Sequence, residues 1–351
     1  MSNELARRVI AKDTLEAFSA SLLEAGGFRG DYARQTAGLL VWANLRGADS
    51  HGVLRIPRYI EMAELGIVKG DAKPELSREF GAVAMIDGDH VPGAAGMSMA
   101  ADKAAALAEK FGVGLCSIIR TSHAGAVGYF TERVARAGKV GIAMTASKPL
   151  MIYHGSRVEG VSTNPISIAA PGRNPTRPIV LDMSTAAVAL GKVMAAKDAG
   201  KSIPPDWGVD AAGIATTDPA KLKAVLPIAG PKGSGLSLMI EILVSLLGGN
   251  PLISAALTDN RDSGFNGLVI ALDPKAFGVG EDFEEEVDRL ARAIKALPPV
   301  EGTDDVLLPG ERGFLLAEKR LQEGIPLAGG TIDRLAAEAA KQGIAIPTEL
   351  R

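Results

Sequence analysis

His123 stands in a segment whose residue types suit proton transfer. Residues 120–129 (RTSHAGAVGY) hold one of only four histidines in a chain of 351 residues. The segment follows the apolar run 113–119, which predicts a buried strand, and leads into the helical spacing of 125–137, which ends at the capping glycine 138. A histidine at the carboxyl end of a strand occupies the usual place for sites in α/β sheets. This position predicts an acid/base residue; the alternative is a histidine that caps the helix or binds a buried carbonyl.

A second cluster, residues 49–55 (DSHGVLR), places a proton donor near a cation. His51 and Arg55 are four residues apart and share a face if the segment is helical. Arginine holds a carboxylate through two parallel hydrogen bonds, which suits a carboxylate-bearing substrate. The alternative is a solvated helix end with a surface arginine. A hydrolase triad of Ser50, His51 and the distant Asp182 is a further interpretation, but a weak one. Side chains adjacent in sequence are poorly oriented for one to take a proton from the other, and no Gly-x-Ser-x-Gly segment is present.

Neither a standard phosphate-binding motif nor a metal site is predicted. No Gly-x-Gly-x-x-Gly follows a strand in the required way, and residues 230–235 (GPKGSG) lack the P-loop spacing. These residues still offer Lys232 and the start of a helix whose N–H groups suit a phosphate; a flexible turn before a core helix is the alternative. The four histidines show no ligand pairing, and the lone cysteine, Cys116, lies in a predicted strand.

Composition favours a protein that binds small solutes in a reducing compartment. The net charge is −3 and aromatic residues make up 4% of the chain, which argues against nucleic-acid binding. One cysteine excludes an internal disulfide. Residues 1–13 lack the apolar core of a signal peptide, and the longest apolar stretch, 235–247, is too short to span a bilayer and carries Glu241. We expect a buried helix there and a soluble, cytoplasmic protein.

The elements that must position these residues fall into a helical part and a sheet part. In the helical part, Asp13 to Glu16 reads as a capping box for a helix that stops at Gly26, and a second helix follows Asp31. Pro57 suits the first turn of a third helix. The tail from Thr331 is helical again and is expected to pack on the N-terminal helices. Residues 1–75 and 313–351 are therefore predicted to form one helical lobe.

Residues 76–312 alternate irregularly between β-rich runs and helices, which predicts a mixed sheet rather than a clean βαβ series. The predicted strands are 82–86, 113–119, 140–146, 166–170, 179–183 and 268–272. The predicted helices are 96–111, 186–199, 236–247 and 282–297, the last with Asp282 as its cap.

Taken together, these segments resemble the malate/L-lactate dehydrogenase-like oxidoreductases. This family contains ureidoglycolate and sulfolactate dehydrogenases and piperideine-2-carboxylate reductase, and it is unrelated in fold to ordinary lactate dehydrogenase. The resemblance covers nearly the whole chain, and the order and spacing of its markers are highly specific. The markers are 49–55 (DSHGVLR), 122–125 (SHAG), 162–165 (STNP), 181–183 (LDM), 216–219 (TTDP), 230–233 (GPKG) and 308–312 (LPGER).

The resemblance implies an α/β fold with a non-Rossmann mixed-sheet domain that binds NAD or NADP, a second lobe built from both chain termini, and a homodimer. It implies that His123 is the acid/base, with the His51 position as the alternative proton carrier. Arg55 would clamp the substrate carboxylate, with Tyr59 also in the substrate site, while Ser50, His51 and Asp182 would line or assist the site. The positions expected to face the cofactor are Ser147, Asn164, Leu181, Asp182, Met183, Lys232, Pro309, Gly310 and Glu311.

Three departures from the family pattern affect the choice of substrate more than the reaction type. Ala124 and Ser234 stand where larger residues are common and are expected to widen the pocket, while Ser162 replaces a usual glycine and puts a tight turn in doubt. The expected reaction is hydride transfer between a nicotinamide and C2 of a small 2-hydroxy or 2-oxo acid. The alternatives are reduction of cyclic imino acids and, from another class, a non-catalytic small-molecule binding protein. The preference between NAD and NADP and the identity of the acid stay open.

Overall fold

The computed structural model describes residues 8–174, 177–198, 200–258, 264–280 and 282–351. Residues 1–7, which belong to the segment judged to lack a signal peptide, and residue 199, the predicted end of one helix, lie outside the described residues. The strands are β1 (Arg8–Ile10), β2 (Glu75–Phe80), β3 (Val83–Val91), β4 (Val113–Thr121), β5 (Val140–Ala146), β6 (Met151–Ile152), β7 (Glu159–Val161), β8 (Ile166–Ala170), β9 (Ile179–Met183), β10 (Gly208–Val209), β11 (Ala224–Val225), β12 (Phe265–Leu272) and β13 (Ile325–Leu327). The helices are α1 (Lys12–Ala25), α2 (Gly30–Leu45), α3 (Ile56–Glu64), α4 (Gly93–Phe111), α5 (Gly128–Arg136), α6 (Leu190–Asp198), α7 (Pro231–Glu241), α8 (Ile253–Thr258), α9 (Asp282–Lys295), α10 (Glu311–Glu323) and α11 (Gly329–Gln342).

The two ends of the chain pack into one helical core. β1 pairs antiparallel with β13, which ties residues 8–10 to residues 325–327. Leu15, Leu22, Ile60 and Leu335, from α1, α3 and α11, are buried in the same hydrophobic cluster. The expectation that the tail returns to the N-terminal helices is confirmed. The boundaries of the lobe at residues 75 and 313 stay a prediction.

Two predicted helix caps are wrong. α1 begins at Lys12, its N-cap Ala11 makes no side-chain cap, and Asp13 lies inside the first turn. The chain enters this helix directly from β1, whose pairing fixes the preceding residues, so a side-chain cap does not set the start. Asp282 is likewise the first residue of α9 rather than its cap, although acidic residues do occupy that first turn as expected.

A seven-stranded sheet in the order β2-β3-β4-β12-β5-β8-β9 forms the centre of the rest of the described chain. β3 and β4 are parallel, and the other neighbours are antiparallel, so the predicted mixed, non-Rossmann sheet is confirmed. The apolar face of α4 and α5 packs with the sheet residues Cys116, Ile118 and Val269 in one buried cluster. β2 was missed because all six of its residues are exposed, which leaves no alternation of apolar and polar residues to detect.

A second sheet, in the order β10-β11-β6-β7, was not predicted. Its strands have only two or three residues each, which is too short to show a period of two. Met151, Val161, Val193 and Val225 form its buried core together with α6.

The prediction of a buried helix over 235–247 is wrong. α7 continues into a π-helical turn, Ile242–Leu246, and only one side of this segment packs against the sheet, through Ile240 and Val244. The opposite side stays open to solvent, where Leu247 is 66% exposed. Ser237, Glu241 and Ser245 lie four residues apart on one side of this segment, and that polar side is the buried one, so the pattern of apolar and polar residues indicates the wrong side as the outer one. Within the described residues, no helix is both long and apolar enough to cross a membrane.

Candidate active site

The strand that leads to His123 ends in a strained turn. β4 runs two residues beyond the predicted end, and Arg120 near its end has φ 53°, the left-handed region that non-glycine residues rarely adopt. Two contacts hold this conformation: the Arg120 N–H donates to Asn266 Oδ1 at 3.2 Å, and its guanidinium Nε donates to Asp87 Oδ1 at 2.9 Å. The pairing of β12 with β4 is also irregular beside this point. Backbone strain of this kind persists where the surrounding contacts fix it, and it clusters at functional sites.

His123 lies in the loop between β4 and α5, as its position after a buried strand predicts. α5 begins at Gly128, three residues later than predicted. Gly125 has φ +67°, and a Cβ there would lie 2.8 Å from Leu39 Cδ2, so the position requires glycine. Ser122 Oγ accepts a hydrogen bond from Gly93 N at 2.8 Å and anchors the loop to the first residue of α4. The loop is therefore held rigidly on both sides of the imidazole.

Three side chains from distant parts of the chain surround the His123 ring. Tyr59 Oη, from α3, lies 2.6 Å from His123 Nδ1. The His51 ring stacks on His123 with centroids 5.8 Å apart and planes 16° from parallel. Phe265, which the sequence analysis did not identify, meets the ring edge-on at 5.7 Å. The structure thus brings together the two histidines and the tyrosine that the resemblance assigned to one site.

Arg55 lies close to this group with its terminal nitrogens available. Residues 49–51 and 53–55 form two separate short helical turns with extended Gly52 between them, so the single helical face assumed for His51 and Arg55 is not formed. Arg55 Nε instead donates to Ser50 O at 2.8 Å, and Ser50 Oγ lies 3.0 Å from His51 Nδ1. Among the described residues, nothing bonds the two terminal nitrogens of Arg55. A half-buried guanidinium with an open edge suits a carboxylate.

The environment keeps both imidazoles neutral. Burial, reinforced by the neighbouring His51 and Arg55, lowers the pKa of His123 to about 3. Burial and the Arg55 charge lower the pKa of His51 to about 4. Burial also raises the pKa of Tyr59 above its ordinary value, so this residue stays a phenol. Near neutral pH, Arg55 therefore carries the charge of this group.

Asp182 does not join the histidines. Its Oδ2 accepts a hydrogen bond from Gly128 N at 2.9 Å, at the start of α5, and a Cβ on Gly128 would lie 2.8 Å from that oxygen. No hydrogen bond within the described residues links Asp182 to Ser50 or His51, which agrees with the weakness of the hydrolase interpretation. Within those residues, no group of three or more His, Cys, Asp or Glu side chains is placed to hold a metal ion.

Asp182 gives a prediction for stability. Although the residue borders an open cleft, desolvation by the surrounding protein raises the pKa of its carboxyl from 3.8 to about 6. Between these values the folded state retains a proton that the unfolded state has lost, so Asp182 makes the fold less stable as the pH rises through this window. Asp182→Asn removes the titration. We expect the variant to unfold at a higher temperature than the parent at about pH 8, with the difference vanishing near about pH 4. Thermal unfolding at both pH values checks this, and an equal difference at the two would contradict it.

Asp182 lines a cleft that contains several positions expected to face the cofactor. Leu181, Pro309 and Gly310 line the same cleft, which has a volume of about 260 Å³, the size of one part of a dinucleotide. Val180 N donates to Pro309 O at 3.2 Å and joins the two segments. Glu311 does not line this cleft; its carboxylate accepts hydrogen bonds from Lys295 Nζ at 2.6 Å and from Leu308 N at 2.8 Å.

Trp42 and Arg46 also line this cleft, and the sequence analysis missed both. The Arg46 guanidinium pairs with Glu132 Oε2 at 3.0 Å and lies 3.8 Å from the centre of the Phe314 ring. These contacts join α2 to α5 and α10. A tryptophan and an arginine near the end of an ordinary amphipathic helix give no local signal, because their role arises only where three distant helices meet.

Ser147 and Asn164 lie in a buried polar network rather than at an open surface. Asn164 is 1% exposed; its Oδ1 accepts from Ser147 N at 3.3 Å and its Nδ2 donates to Ser237 O at 3.0 Å. Ser147 Oγ lies 2.6 Å from Ser162 Oγ. The serine that replaces the usual glycine at 162 therefore supplies a bond that glycine lacks. Ala124 and Ser234, the other two departures, are buried as well.

The start of α7 fits a phosphate. Lys232 is exposed in the first turn and makes no ion pair within the described residues, and Gly230 has φ +59°. A Cβ on Gly233 would lie 2.7 Å from Thr185 O, so the backbone approaches the end of the β9 segment closely. The Thr185 hydroxyl is buried there without a hydrogen-bond partner. A positive helix end and an exposed lysine suit the pyrophosphate of a dinucleotide. Met183, also expected to face the cofactor, is half-buried at the end of β9, after Leu181 and Asp182.

Comparison with known proteins identifies the family of this chain. The family model for malate/L-lactate dehydrogenase matches residues 10–336. Ureidoglycolate dehydrogenase (NAD(+)) of Escherichia coli K12 is 33% identical over 334 residues, which cover 94% of this chain and 95% of that protein. The names of relatives specify NAD(+) in some cases and NADP(+) in others.

Solved structures share the fold. Malate dehydrogenase from Pyrococcus horikoshii OT3 has a TM-score of 0.87 and 30% identity, with 97% of each chain covered. The Δ1-piperideine-2-carboxylate reductase from Pseudomonas syringae has a TM-score of 0.83 and 28% identity, with 95% of this chain and 100% of that chain covered. The match spans the helical core, the mixed sheet and the His123 site, and the chain belongs to the malate/L-lactate dehydrogenase family of NAD(P)-dependent oxidoreductases.

Proposed function

We propose that this protein transfers a hydride reversibly between NAD(P) and C2 of a small 2-hydroxy or 2-oxo carboxylic acid. The observation that carries the proposal is a neutral imidazole, His123, close enough to Arg55 for the arginine charge to act on it, while the terminal nitrogens of Arg55 stay available. A carboxylate on Arg55 is oriented by two hydrogen bonds, which fixes the position of the adjacent carbon and its oxygen. The neutral imidazole then exchanges a proton with that oxygen.

The cofactor, when bound, supplies or accepts the hydride, and the chain positions both reactants. Lys232 and the first turn of α7 hold the pyrophosphate, and Leu181, Asp182, Pro309 and Gly310 line the cleft for another part of the dinucleotide. Asn164 and Ser147 support α7 from inside the protein, because Ser147 N bonds to Asn164 and Asn164 bonds to Ser237 O. His51 stacks on His123 and excludes water from one face of the ring.

A substrate screen tests this function. The purified protein is mixed with NADH or NADPH and each member of a panel of 2-oxo acids and cyclic imino acids, and loss of the reduced cofactor is followed. We expect turnover with a 2-oxo acid bearing a free carboxylate. Binding of the cofactor, seen as a change in its fluorescence, with no turnover of any acid or imine would instead show a non-catalytic binding protein.

A second candidate is reduction of cyclic imino acids, which the structural likeness to the Pseudomonas syringae reductase favours. The same arginine would hold the ring carboxylate, and His123 would serve the imine nitrogen. Faster turnover of Δ1-piperideine-2-carboxylate or its five-membered homologue than of any open-chain 2-oxo acid in the same screen would select this function.

We also propose that two copies associate through the outer side of the π-helical turn that follows α7. Leu243 and Leu247 there border a groove completed by Phe80, which is 77% exposed. An exposed apolar groove beside the edge strand of a sheet is typical of an interface between protein chains. A second copy of this chain is the proposed occupant, since the resemblance implies a homodimer.

A charge introduced into the groove tests the proposed dimer. Leu247→Glu places a carboxylate in the apolar groove, and burying it unpaired costs several kcal/mol. We expect the dimer dissociation constant to rise at least about 100-fold, measured by sedimentation. Leu321→Glu on α10, at a leucine that is 58% exposed, is the matched control and leaves association unchanged. A monomeric parent protein, or a dimer insensitive to Leu247→Glu, would overturn the assignment.

We propose a cytoplasmic location. NAD(P) pools serve metabolism inside the cell, and the single cysteine, Cys116, is a buried thiol that needs no oxidising compartment. Fractionation of cells that express the protein at its natural level tests the location, and recovery from the periplasm or membrane fraction would refute it.

A further inference from the structure

Two donors face one nitrogen of His123. Gly125 N lies 3.4 Å from His123 Nδ1 with geometry suited to donation, and Tyr59 Oη lies 2.6 Å from the same atom. A backbone N–H donates and cannot accept, so Nδ1 must carry a lone pair. In a neutral imidazole the ring proton is then on Nε2, and Tyr59 is the donor in its short bond to Nδ1.

The rest of the ring environment leaves Nε2 for a ligand. His51 stacks on one face, Phe265 meets the edge, and Nδ1 is occupied by Tyr59 and Gly125. No hydrogen bond to Nε2 is present among the described residues. The nitrogen that meets the substrate oxygen is therefore Nε2, and in the resting protein it carries a proton.

We infer that Tyr59 is a positioning residue: its hydroxyl holds His123 in the tautomer protonated on Nε2 and fixes the plane of the ring. This inference rests on the proposed function for its catalytic meaning, and it replaces the expected contact of Tyr59 with substrate. Tyr59 is 7% exposed and its single donor is already used by His123. The resting ring thus presents an N–H donor to the oxygen of a 2-oxo acid, and this hydrogen bond polarises the carbonyl group for hydride attack.

Gly125 and Tyr59 differ in which tautomers of His123 they allow. A tyrosine hydroxyl has one donor and two acceptor lone pairs, so it can rotate and accept from a ring protonated on Nδ1. The Gly125 N–H can only donate, so it disfavours a ring that is protonated on Nδ1. When the Tyr59 hydroxyl is removed, only the longer bond from Gly125 remains to hold the ring. The preference for one tautomer then weakens, and protonation of the ring becomes easier because a bond to its neutral form is lost.

The experiment compares Tyr59→Phe with Tyr32→Phe. Tyr32 is the matched control because it is also buried, at 4% exposure, and its hydroxyl donates to Ala72 O at 3.1 Å, away from the site. Nitrogen-15 spectra of the histidine rings are recorded for the parent protein without substrate or cofactor, with His123→Asn used to assign the signals. We expect His123 to show a protonated Nε2 and an unprotonated Nδ1, and Tyr59→Phe to shift both signals toward an average of the two tautomers.

Kinetic measurements distinguish a role of Tyr59 in positioning His123 from a role in stability alone. Tyr59→Phe should lower kcat about 10- to 100-fold with little change in the KM for the acid, since the contact of Arg55 with the carboxylate is retained. The acid limb of the kcat profile should move upward by about one pH unit. Tyr32→Phe shares any loss of thermal stability but keeps both the rate and the pH profile.

A parent spectrum with the proton on Nδ1 would overturn the inference, as would a Tyr59→Phe variant whose ring signals, rate and pH profile match the parent. The spectra require no turnover, so they distinguish this failure from failure of the proposed function. A protonated Nε2 lost in Tyr59→Phe supports the tautomer assignment even if no acid is turned over, in which case the proposed function is the part that fails.

Discussion

His123→Asn is expected to lower kcat for the reduction of a 2-oxo acid by about 10²- to 10⁴-fold, the usual contribution of general acid/base assistance. Asparagine retains a polar side chain but cannot exchange a proton near neutral pH. Binding of NAD(P) should survive, because its proposed contacts lie in the cleft beside Asp182 and at the start of α7. Steady-state kinetics, with cofactor affinity measured separately by fluorescence, checks both parts.

His90→Asn is the matched control for this change. His90 is half-buried and has φ +64°, a conformation that asparagine tolerates, and it makes no contact with the His123 group among the described residues. We expect its activity to equal that of the parent. Unchanged turnover in His123→Asn would remove the proposed role, whatever the control shows.

The same assay decides between the two histidines. His51 stacks on His123, but its Nδ1 bonds to Ser50 Oγ, whereas His123 has its Nδ1 held by Tyr59 and lies in a loop built around it. We therefore expect His51→Asn to lower kcat less than His123→Asn does. If His51→Asn lowered kcat more than His123→Asn, His51 would be the residue that exchanges the proton, and His123 would only position it.

Arg55→Ala is expected to lower kcat/KM for a carboxylate substrate by about 10²- to 10³-fold. Truncating one partner of a hydrogen-bonded charge pair in a protected site costs about 2–5 kcal/mol. Most of the loss should appear as a raised KM, with a smaller fall in kcat from poorer orientation of C2. Arg55→Lys keeps the charge but loses the two-pronged contact, so it should recover only part of the efficiency.

Arg58→Ala serves as the control three residues away. Arg58 is an exposed arginine that pairs with Glu61 at 2.7 Å, and we expect its loss to leave the kinetics unchanged. A substrate whose carboxylate is replaced by an amide supplies the chemical test: Arg55→Ala should affect its turnover little. If the parent protein used the acid and the amide with equal efficiency, Arg55 would not be the carboxylate clamp.

Arg55→Ala also bears on the titration of His123. The Arg55 charge disfavours a second positive charge nearby and contributes to lowering the pKa of both His51 and His123. Its removal should therefore move the acid limb of the pH profile upward, in the same direction as Tyr59→Phe but through a different cause. The two variants differ in KM, which rises only when the arginine is lost.

Local sequence patterns were sufficient for the central strands and for the position of His123 after one of them. The apolar runs 140–146, 166–170 and 179–183 coincide with β5, β8 and β9, because each is a short run between turn residues that leaves few other ways to bury its side chains. The markers at 49–55 and 122–125, read through the family resemblance, directed attention to Arg55 and His123, whose roles in catalysis stay a proposal. They did not reveal the loop conformation, which depends on Leu39 packing against Gly125.

The sequence by itself determined which groups are available for chemistry: a histidine after a buried strand, an arginine near a second histidine, and a glycine-rich helix start. Only the tertiary structure decided how they act. The bond between Tyr59 and His123 joins residues 64 positions apart, and Arg46 reaches Gly310 across 264 positions. Such contacts depend on how helices and strands pack together, and packing distances are not encoded in the local spacing of residue types. That is why the tautomer inferred for His123, the cleft beside Asp182 and the exposed side of the turn after α7 could be argued only from the three-dimensional contacts.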